Sequence, residues 1–406
     1  MGKQNNNLLT AIDVGSAKTC ALVAEITDGG LRYRGHGVCE SRGTRKGLIV
    51  DLEKATVSVQ KAVEDAESAA GVPVERALAG IGGPHLRGVS SQGGISLGSR
   101  AREITRDDVR QAVEKARSIG LPDDRQPLHL LPQEFIIDGQ NGIHEPTGMV
   151  GRTLEVRVHI ATASASATQN VVTVLNRAGI QVDDTVLEPL AAADAVLRND
   201  ERELGVCLAD IGAGSTELIV YHEGAVAHTG VVPIGGDHFT NDVAVGLRTP
   251  LADAEKIKCV FGSAVVTSVP EGNEIEVPAV GDKPSRLMSQ RLLAEIVQPR
   301  AHELFEMMRD HLRQAGVMEL CGAGVVLTGG GSRLSGILDV VDSVLRKPGR
   351  VAVPAPVAKS PVELADPAFA TALGLVLYAY RSRKNRGAQE QSSLAAKLKA
   401  LFAWGS

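Results

Sequence analysis

Short β-branched apolar runs at 8–14, 20–26 and 31–41, separated by glycine and polar residues, predict three consecutive strands. Helical spacing follows over 52–70, and Gly71 with Pro73 ends it. A strand over 76–81 then runs into Gly82-Gly83-Pro84, a turn and a boundary. Residues 85–163 read as a compact inserted unit. Its helix opens at Thr105, with Asp108 three residues on as a capping box, and its apolar face is Val109, Ala112, Val113, Ala116 and Ile119. Strands over 128–137 and 154–161 accompany it. The first lobe resumes with a helix (166–178), a strand (182–187) and a helix (189–197). A second lobe starts near Leu204 and runs to about Pro354. A last apolar helix over 367–380, started by Asp366-Pro367, returns to the first lobe.

Two turns in this pattern carry chemistry. Asp13-Val14-Gly15-Ser16-Ala17-Lys18-Thr19 and Asp210-Ile211-Gly212-Ala213-Gly214-Ser215-Thr216 repeat one design: an apolar strand, an acid, a glycine turn, hydroxyls and a second apolar strand. Glycines let the backbone approach a ligand, so successive N–H groups form an anion nest, while Ser16, Thr19, Ser215 and Thr216 add hydroxyl donors. The ligand implied is a polyphosphate. Asp13 and Asp210 then hold a hard cation, Mg²⁺ with several waters retained. One such turn alone is ordinary hairpin chemistry. Two facing turns mean a cleft between two similar lobes.

Further glycine turns surround the pair. A buried-type strand, Val325-Val326-Leu327-Thr328, runs into Gly329-Gly330-Gly331-Ser332 and then a helix, a turn able to approach a flat base closely. Gly235-Gly236 opens another helix that can line the cleft. Glu255 and Lys258 stand at i and i+3 on one helix face, a spacing that suits a surface ion pair or a shared ligand. No G-x-x-x-x-G-K-[ST] or G-x-G-x-x-G motif occurs.

At 406 residues the chain is long enough for two to three domains. Its net charge of −5 leaves no basic footprint for nucleic acid. The five cysteines, widely spaced and without a C-x-x-C pair, read as reduced core thiols. No secretory signal or membrane-spanning run is expected.

The C-terminal end has a different character. Arg381, Arg383, Lys384 and Arg386 are basic, 387–393 is polar, and 394–404 is helical in pattern. At about 100° per residue, Leu394, Leu398, Leu401, Phe402 and Trp404 share one arc. Such a helix is ~20 Å long, short of the ~30 Å hydrocarbon core. It suits the interface of an anionic membrane, with docking on the protein's own core as the alternative.

Acid-glycine hairpin, acid-glycine hairpin and strand-GGGS-helix, in this order, resemble the phosphate 1, phosphate 2 and adenosine motifs of the actin-like ATPase superfamily. The insert and the detached C-terminal helix narrow the resemblance to the FtsA family of bacterial cell-division proteins, as do 201–207 and 292–303. The resemblance implies an α/β, actin-like two-lobe ATPase fold, made of duplicated ribonuclease H-like domains with a small α+β insert in the first lobe and a C-terminal amphipathic helix. The implied division is a first lobe at 8–84 and 164–203, interrupted by the insert at 85–163. The second lobe has a nucleotide core at 204–230 and 321–360 and an outer part at 231–320. A return helix (361–382), a linker (383–393) and the membrane helix (394–406) complete it.

By the same resemblance the ligands are ATP and Mg²⁺. Contacts fall on Asp13, Gly15, Ser16, Lys18, Thr19, Asp210, Gly212, Gly214, Ser215, Thr216, Gly235, Gly236 and Gly329 to Ser332. Glu255 and Lys258 are assigned to the ribose and base. Ala213 departs from the glycine common in D-x-G-x-G, leaving Gly212 and Gly214 to form the turn. Glu188 stands where MreB-like relatives position the attacking water; on its own it also reads as a helix-start acid favoured by the dipole. Turnover is expected to be slow, with ATP shifting lobe closure and polymer contacts. The implied function is an ATP-binding, filament-forming protein that tethers the FtsZ ring to the cytoplasmic face of the inner membrane at the septum. The insert would recruit later division proteins. The FtsZ C-terminal peptide is implied to dock near Arg300 and Glu303, which by themselves read only as an exposed helix face. A PilM-like pilus assembly protein and a small-molecule kinase share the lobes and remain alternatives at this point.

Overall fold

A computed structural model of the chain describes residues 7–281 and 284–384. Two five-stranded sheets organise it. The first is ordered Gln181–Leu187, Arg76–Ile81, Leu8–Val14, Lys18–Thr27, Gly30–Glu40. Its last three strands pair antiparallel, and the first two join Leu8–Val14 in parallel. The second is ordered Ala225–Val232, Thr216–His222, Val206–Ile211, Val325–Thr328, Gly349–Val351 and repeats the same pairing senses. In both, the strand that ends in the acid and glycine turn is the central one. Each turn therefore emerges from the most protected part of its sheet.

Local sequence explains the crossovers. Helix Leu52–Ala70 links an antiparallel strand to the parallel strand Arg76–Ile81; Asp51 caps its start by accepting from Lys54 N at 3.1 Å. Gly71, at φ 68°, supplies the left-handed residue that ends it. Its Ala55, Val59, Ala62 and Ala66 face the first sheet and are buried with Ile12, Ala21 and Val23. The final helix, continuous from 370 to the last described residue, 384, returns to this sheet's other face. There Leu373, Leu375, Val376 and Ala379 join Leu9, Ala11, Leu22 and Ala24. It opens with a 3-10 turn, Pro367–Phe369, where Asp366 accepts from Ala368 N at 2.8 Å.

The inserted unit is a four-stranded antiparallel sheet ordered Gln140–Ile143, Arg125–Ile137, Thr153–Ser164, Arg87–Ser96. Helix Arg106–Arg117 covers it, with Ala112 and Ala116 buried and Val109, Val113 and Ile119 alongside. Thr105 and Asp108 form the expected capping box, and Arg102 grips Asp108 at 2.8 and 2.6 Å. Strand Arg87–Ser96 is not visible in the sequence pattern, because it is rich in glycine and serine and lies at the sheet edge. The insert also docks on the edge of the second sheet. Gln133 Nε2 donates to Val226 O at 2.9 Å, and His159 Nε2 lies 2.8 Å from Thr229 Oγ1.

Only three of the five free cysteines behave as core thiols. Cys20, Cys207 and Cys321 are buried, whereas Cys39 is half-buried and Cys259 exposed. Among the described residues no helix is long and apolar enough to cross a membrane. The amphipathic helix expected at 394–404 lies outside the described residues, as does the linker from 385 onward.

Candidate functional site

The two turns close in the same way. Gly15 N–H donates to Lys18 O at 3.1 Å, and Gly212 N–H donates to Ser215 O at 3.0 Å. The registers match too: Val14 pairs Thr19 and Ile211 pairs Thr216, so Asp13 stands opposite Cys20 and Asp210 opposite Glu217. The two turns touch. A Cβ built on Gly214 would lie 2.7 Å from Ser16 Oγ and 2.6 Å from Gly47 N, so only glycine admits this approach.

The other glycine segments converge on the second turn. Gly236 N donates to Gly212 O and Asp237 N to Ala213 O, each at 2.9 Å, which seats the start of helix Gly236–Leu247 there. Gly329, at φ 78°, leaves no room for a Cβ beside Asp210 Oδ1. Ser332 Oγ closes that turn on Gly329 O at 2.7 Å. A 3-10 turn, Gly330–Arg333, stands where the sequence pattern suggested a helix following directly; the helix itself is Ile337–Leu345.

Four carboxylates crowd this junction. Burial pushes Asp13 up, with the Lys18 charge opposing. Burial likewise raises Asp210 to about 6, against the Thr371 hydroxyl that donates to it at 2.9 Å and together with the charge of Asp13. Glu217 is pushed up to about 8 by burial and by Asp210, although it accepts the Gly83 N–H. Glu188 is raised well above its ordinary value by burial and then by Glu217, Asp13 and Asp210. Lys18 is the cation that opposes this rise at Asp13, Asp210 and Glu188, and its own ammonium donates to Ala368 O at 2.5 Å and lies 4.8 Å from the Phe369 ring centre. Such a set must hold protons or attract a cation. Among the described residues no three His, Cys, Asp or Glu side chains are placed to hold a metal ion directly.

Known proteins place the chain. A family model described as "Cell division protein FtsA" matches residues 207–374, and one described as "SHS2 domain inserted in FTSA" matches 83–162. FtsA of Pseudomonas aeruginosa is 40% identical over 94% of this chain and 91% of its own length. The chain belongs to the FtsA family of cell-division proteins. FtsA proteins of Bacillus subtilis and Escherichia coli are 35% and 34% identical, over 94% and 98% of this chain and 86% and 98% of their own. Solved structures extend the likeness in fold alone. A PilM-PilN type IV pilus biogenesis complex matches with a TM-score of 0.66 at 18% identity, covering 92% of this chain and 98% of the other. MreB5 of Spiroplasma citri bound to ADP matches at 0.55 and 14%, covering 94% and 99%. This FtsA-family chain is thus a mixed α/β protein with the family's insert and MreB-like structural neighbours, and the family implies nucleotide and Mg²⁺ binding.

Several side chains around the glycine turns of this FtsA-family chain are engaged differently from the sequence expectation. Thr19 and Thr216 are fully buried: Thr19 Oγ1 shares a proton with Ser41 Oγ at 2.8 Å, and Thr216 Oγ1 donates to Ile234 O at 2.7 Å. Ser16 Oγ accepts from Gly47 N at 2.8 Å. Lys258, its side chain only 13% exposed, reaches Glu255 Oε2 at 2.6 Å, Thr240 Oγ1 at 2.9 Å and Gly236 O at 3.1 Å. The Glu255–Lys258 pair therefore braces the glycine turn at the cleft. Arg300 is not simply part of an exposed helix face. It forks onto Asp242 at 2.6 and 3.1 Å, pairs with Glu303 and ties helix Gln290–Gln314 to helix Gly236–Leu247.

Glu217 and Thr371 are the residues sequence reasoning missed. Glu217 had a signal, a lone acid beginning a strand that continues Leu-Ile-Val-Tyr. Thr371 had none, because it meets Asp210 from 161 positions away.

Proposed function

We propose that this cell-division protein binds Mg-ATP in the cleft between the two glycine hairpins and uses lobe closure to govern its assembly. The observation that carries this reading is the matched pair of turns, closed alike and meeting beside four buried carboxylates that burial raises. With the Gly15 and Gly212 N–H groups closing the turns, the backbone N–H groups at 16–17 and 213–215, with the Ser16 and Ser215 hydroxyls, cradle the phosphates. Asp13 and Asp210 hold Mg²⁺ through water. Gly329 to Ser332 flank the base, while Gly235, Gly236, Glu255 and Lys258 line the ribose side. Bound Mg²⁺ supplies the charge that lets the cluster ionise at neutral pH. Glu188 orients a water in this reading, and its burial among other acids makes it a weak, slow device.

On this reading the two sheets are the cores of duplicated, ribonuclease H-like lobes, divided as the sequence suggested, and closure shifts the population competent to polymerise. The protein tethers FtsZ filaments to the cytoplasmic face of the inner membrane. Its C-terminal segment lies on anionic lipid, the insert recruits later division proteins, and the Arg300–Glu303 region meets the FtsZ C-terminal peptide. Near-full-length identity of 34–40% to FtsA proteins favours this over the PilM-like reading, which rests on fold likeness alone.

Calorimetry with Mg-ATP tests the cleft, with micromolar binding expected and no heat of binding overturning it. Liposome pelleting of the full chain against a variant lacking 394–406 tests the anchor. Pelleting should disappear while ATP binding persists; unchanged pelleting would remove the membrane role.

A further inference from the structure

A small hairpin sits at the contact of the two turns. Thr44 pairs Ile49 and Arg45 pairs Leu48, leaving Lys46-Gly47 as its two-residue tip. Both tip residues have positive φ, 51° and 73°, the mirror-type turn that prefers Asn, Asp or Gly at its first position. Lysine there is locally disfavoured, since a side chain in the left-handed region crowds its own backbone. Strain of this kind, held in place by its surroundings, points towards function.

The surroundings are the phosphate turns. Thr44 Oγ1 donates towards Gly15 O at 3.3 Å, and Gly47 N donates to Ser16 Oγ at 2.8 Å, fastening the tip to the first turn. The Lys46 Cα would lie 2.7 Å from a Cβ on Gly214, so the tip also abuts the second turn. Gly47 in addition packs on Gly83, whose N–H binds Glu217. The Lys46 side chain is exposed and has no ion pair or hydrogen bond among the described residues. Lys18, the cation within the first turn, is already committed to Ala368 O and the Phe369 ring.

We propose that Lys46 is a phosphate-recognition residue: the strained tip delivers its ammonium to the outermost phosphate of a nucleoside triphosphate held between the hairpins. This rests on the nucleotide reading above and adds a specificity to it. A triphosphate reaches the tip, and a diphosphate falls short. Lys46 thereby sets the preference for the longer ligand and ties nucleotide state to the contact between the two lobes.

The test uses the full chain and the variants Lys46→Asn and Lys46→Arg, titrated calorimetrically with Mg-ATP and Mg-ADP. Asparagine suits the turn better than lysine, so Lys46→Asn should unfold at the same temperature as the parent or higher. Its ATP affinity should nonetheless fall roughly tenfold to a hundredfold, the range for losing a charged hydrogen bond, while ADP affinity moves less than threefold. Lys46→Arg should recover part of the ATP affinity. If the parent binds ATP and Lys46→Asn binds it equally well, or loses ATP and ADP in equal measure, Lys46 has no such role. If the parent binds neither nucleotide, the nucleotide reading itself fails and takes this inference with it.

Discussion

In the first glycine hairpin the register sets Cys20 opposite Asp13, whereas in the second it sets Glu217 opposite Asp210. Cys20 is fully buried and its thiol is pushed up to about 12 by burial, so it carries no charge. The first turn also includes Lys18, which offsets its acid; 210–217 holds two acids and no cation. One backbone device, closed by the same N–H to O=C bond, therefore carries one acid and a lysine in the first hairpin and two acids in the second. On the proposed reading, the Mg²⁺ shared by Asp13 and Asp210 therefore depends more on the second hairpin than on the first.

Unequal losses on removing the two aspartates are the largest expected consequence. Asp210→Ala should weaken Mg-ATP binding about a hundredfold, in line with losing a charged partner worth up to about 3 kcal/mol. Asp13→Ala should cost about tenfold, because the Lys18 charge near this hairpin remains to meet phosphate. Equal losses by calorimetry would break the comparison.

The same asymmetry should appear in stability against pH. Asp210 has a folded pKa of about 6 against 3.8, and Glu217 about 8 against 4.5. Between each pair of values the folded chain holds a proton that the unfolded chain has released, so stability falls as pH rises through that window. Ligand-free protein should therefore lose a few kcal/mol between pH 6 and pH 8.5, through Glu217 together with Glu188, whose carboxyl is also raised, at ~1.4 kcal/mol per unit for each group. Thermal unfolding at these two pH values measures it. Glu217→Gln should flatten the slope, as should saturating Mg-ATP; a slope unchanged by Glu217→Gln would place the raised carboxyl elsewhere.

What the sequence disclosed about this cleft follows the range of the interactions. The hairpins, the Thr105–Asp108 cap and the Asp366 start are local, set by residues within a few positions of one another, and all were legible. Strand Arg87–Ser96 was not, because its pairing with Thr153–Ser164 replaces any apolar alternation of its own. Thr371 on Asp210, Gly83 on Glu217 and the Lys46-Gly47 tip against Gly214 are long-range juxtapositions, fixed only when both sheets have formed. The charge asymmetry lies between these cases. Glu217 is plain in the sequence, yet its standing opposite Asp210 depends on strand register.

Space around the second turn gives a smaller effect. Gly214→Ala should destabilise the protein by ~1–3 kcal/mol through overpacking against Ser16, Lys46 and Gly47. Gly212→Ala meets only Ser215 O, at 3.2 Å, and should cost under about 1 kcal/mol. Chemical denaturation separates the two. Similar costs would mean that the lobes do not press together at Gly214 in solution.

The buried threonines should show the smallest difference. Thr216→Val removes the donor to Ile234 O inside the second lobe, where little else can replace it, and should cost about 1–2 kcal/mol. Thr19→Val removes the partner of Ser41, which is partly exposed and can turn to water, so about 0.5–1 kcal/mol is expected. Neither should change Mg-ATP affinity, because both hydroxyls are engaged within the protein. A tenfold loss of affinity in Thr19→Val alone would mean that the first hairpin reorganises to expose this side chain when nucleotide arrives. The two hairpins would then differ in mobility as well as in charge.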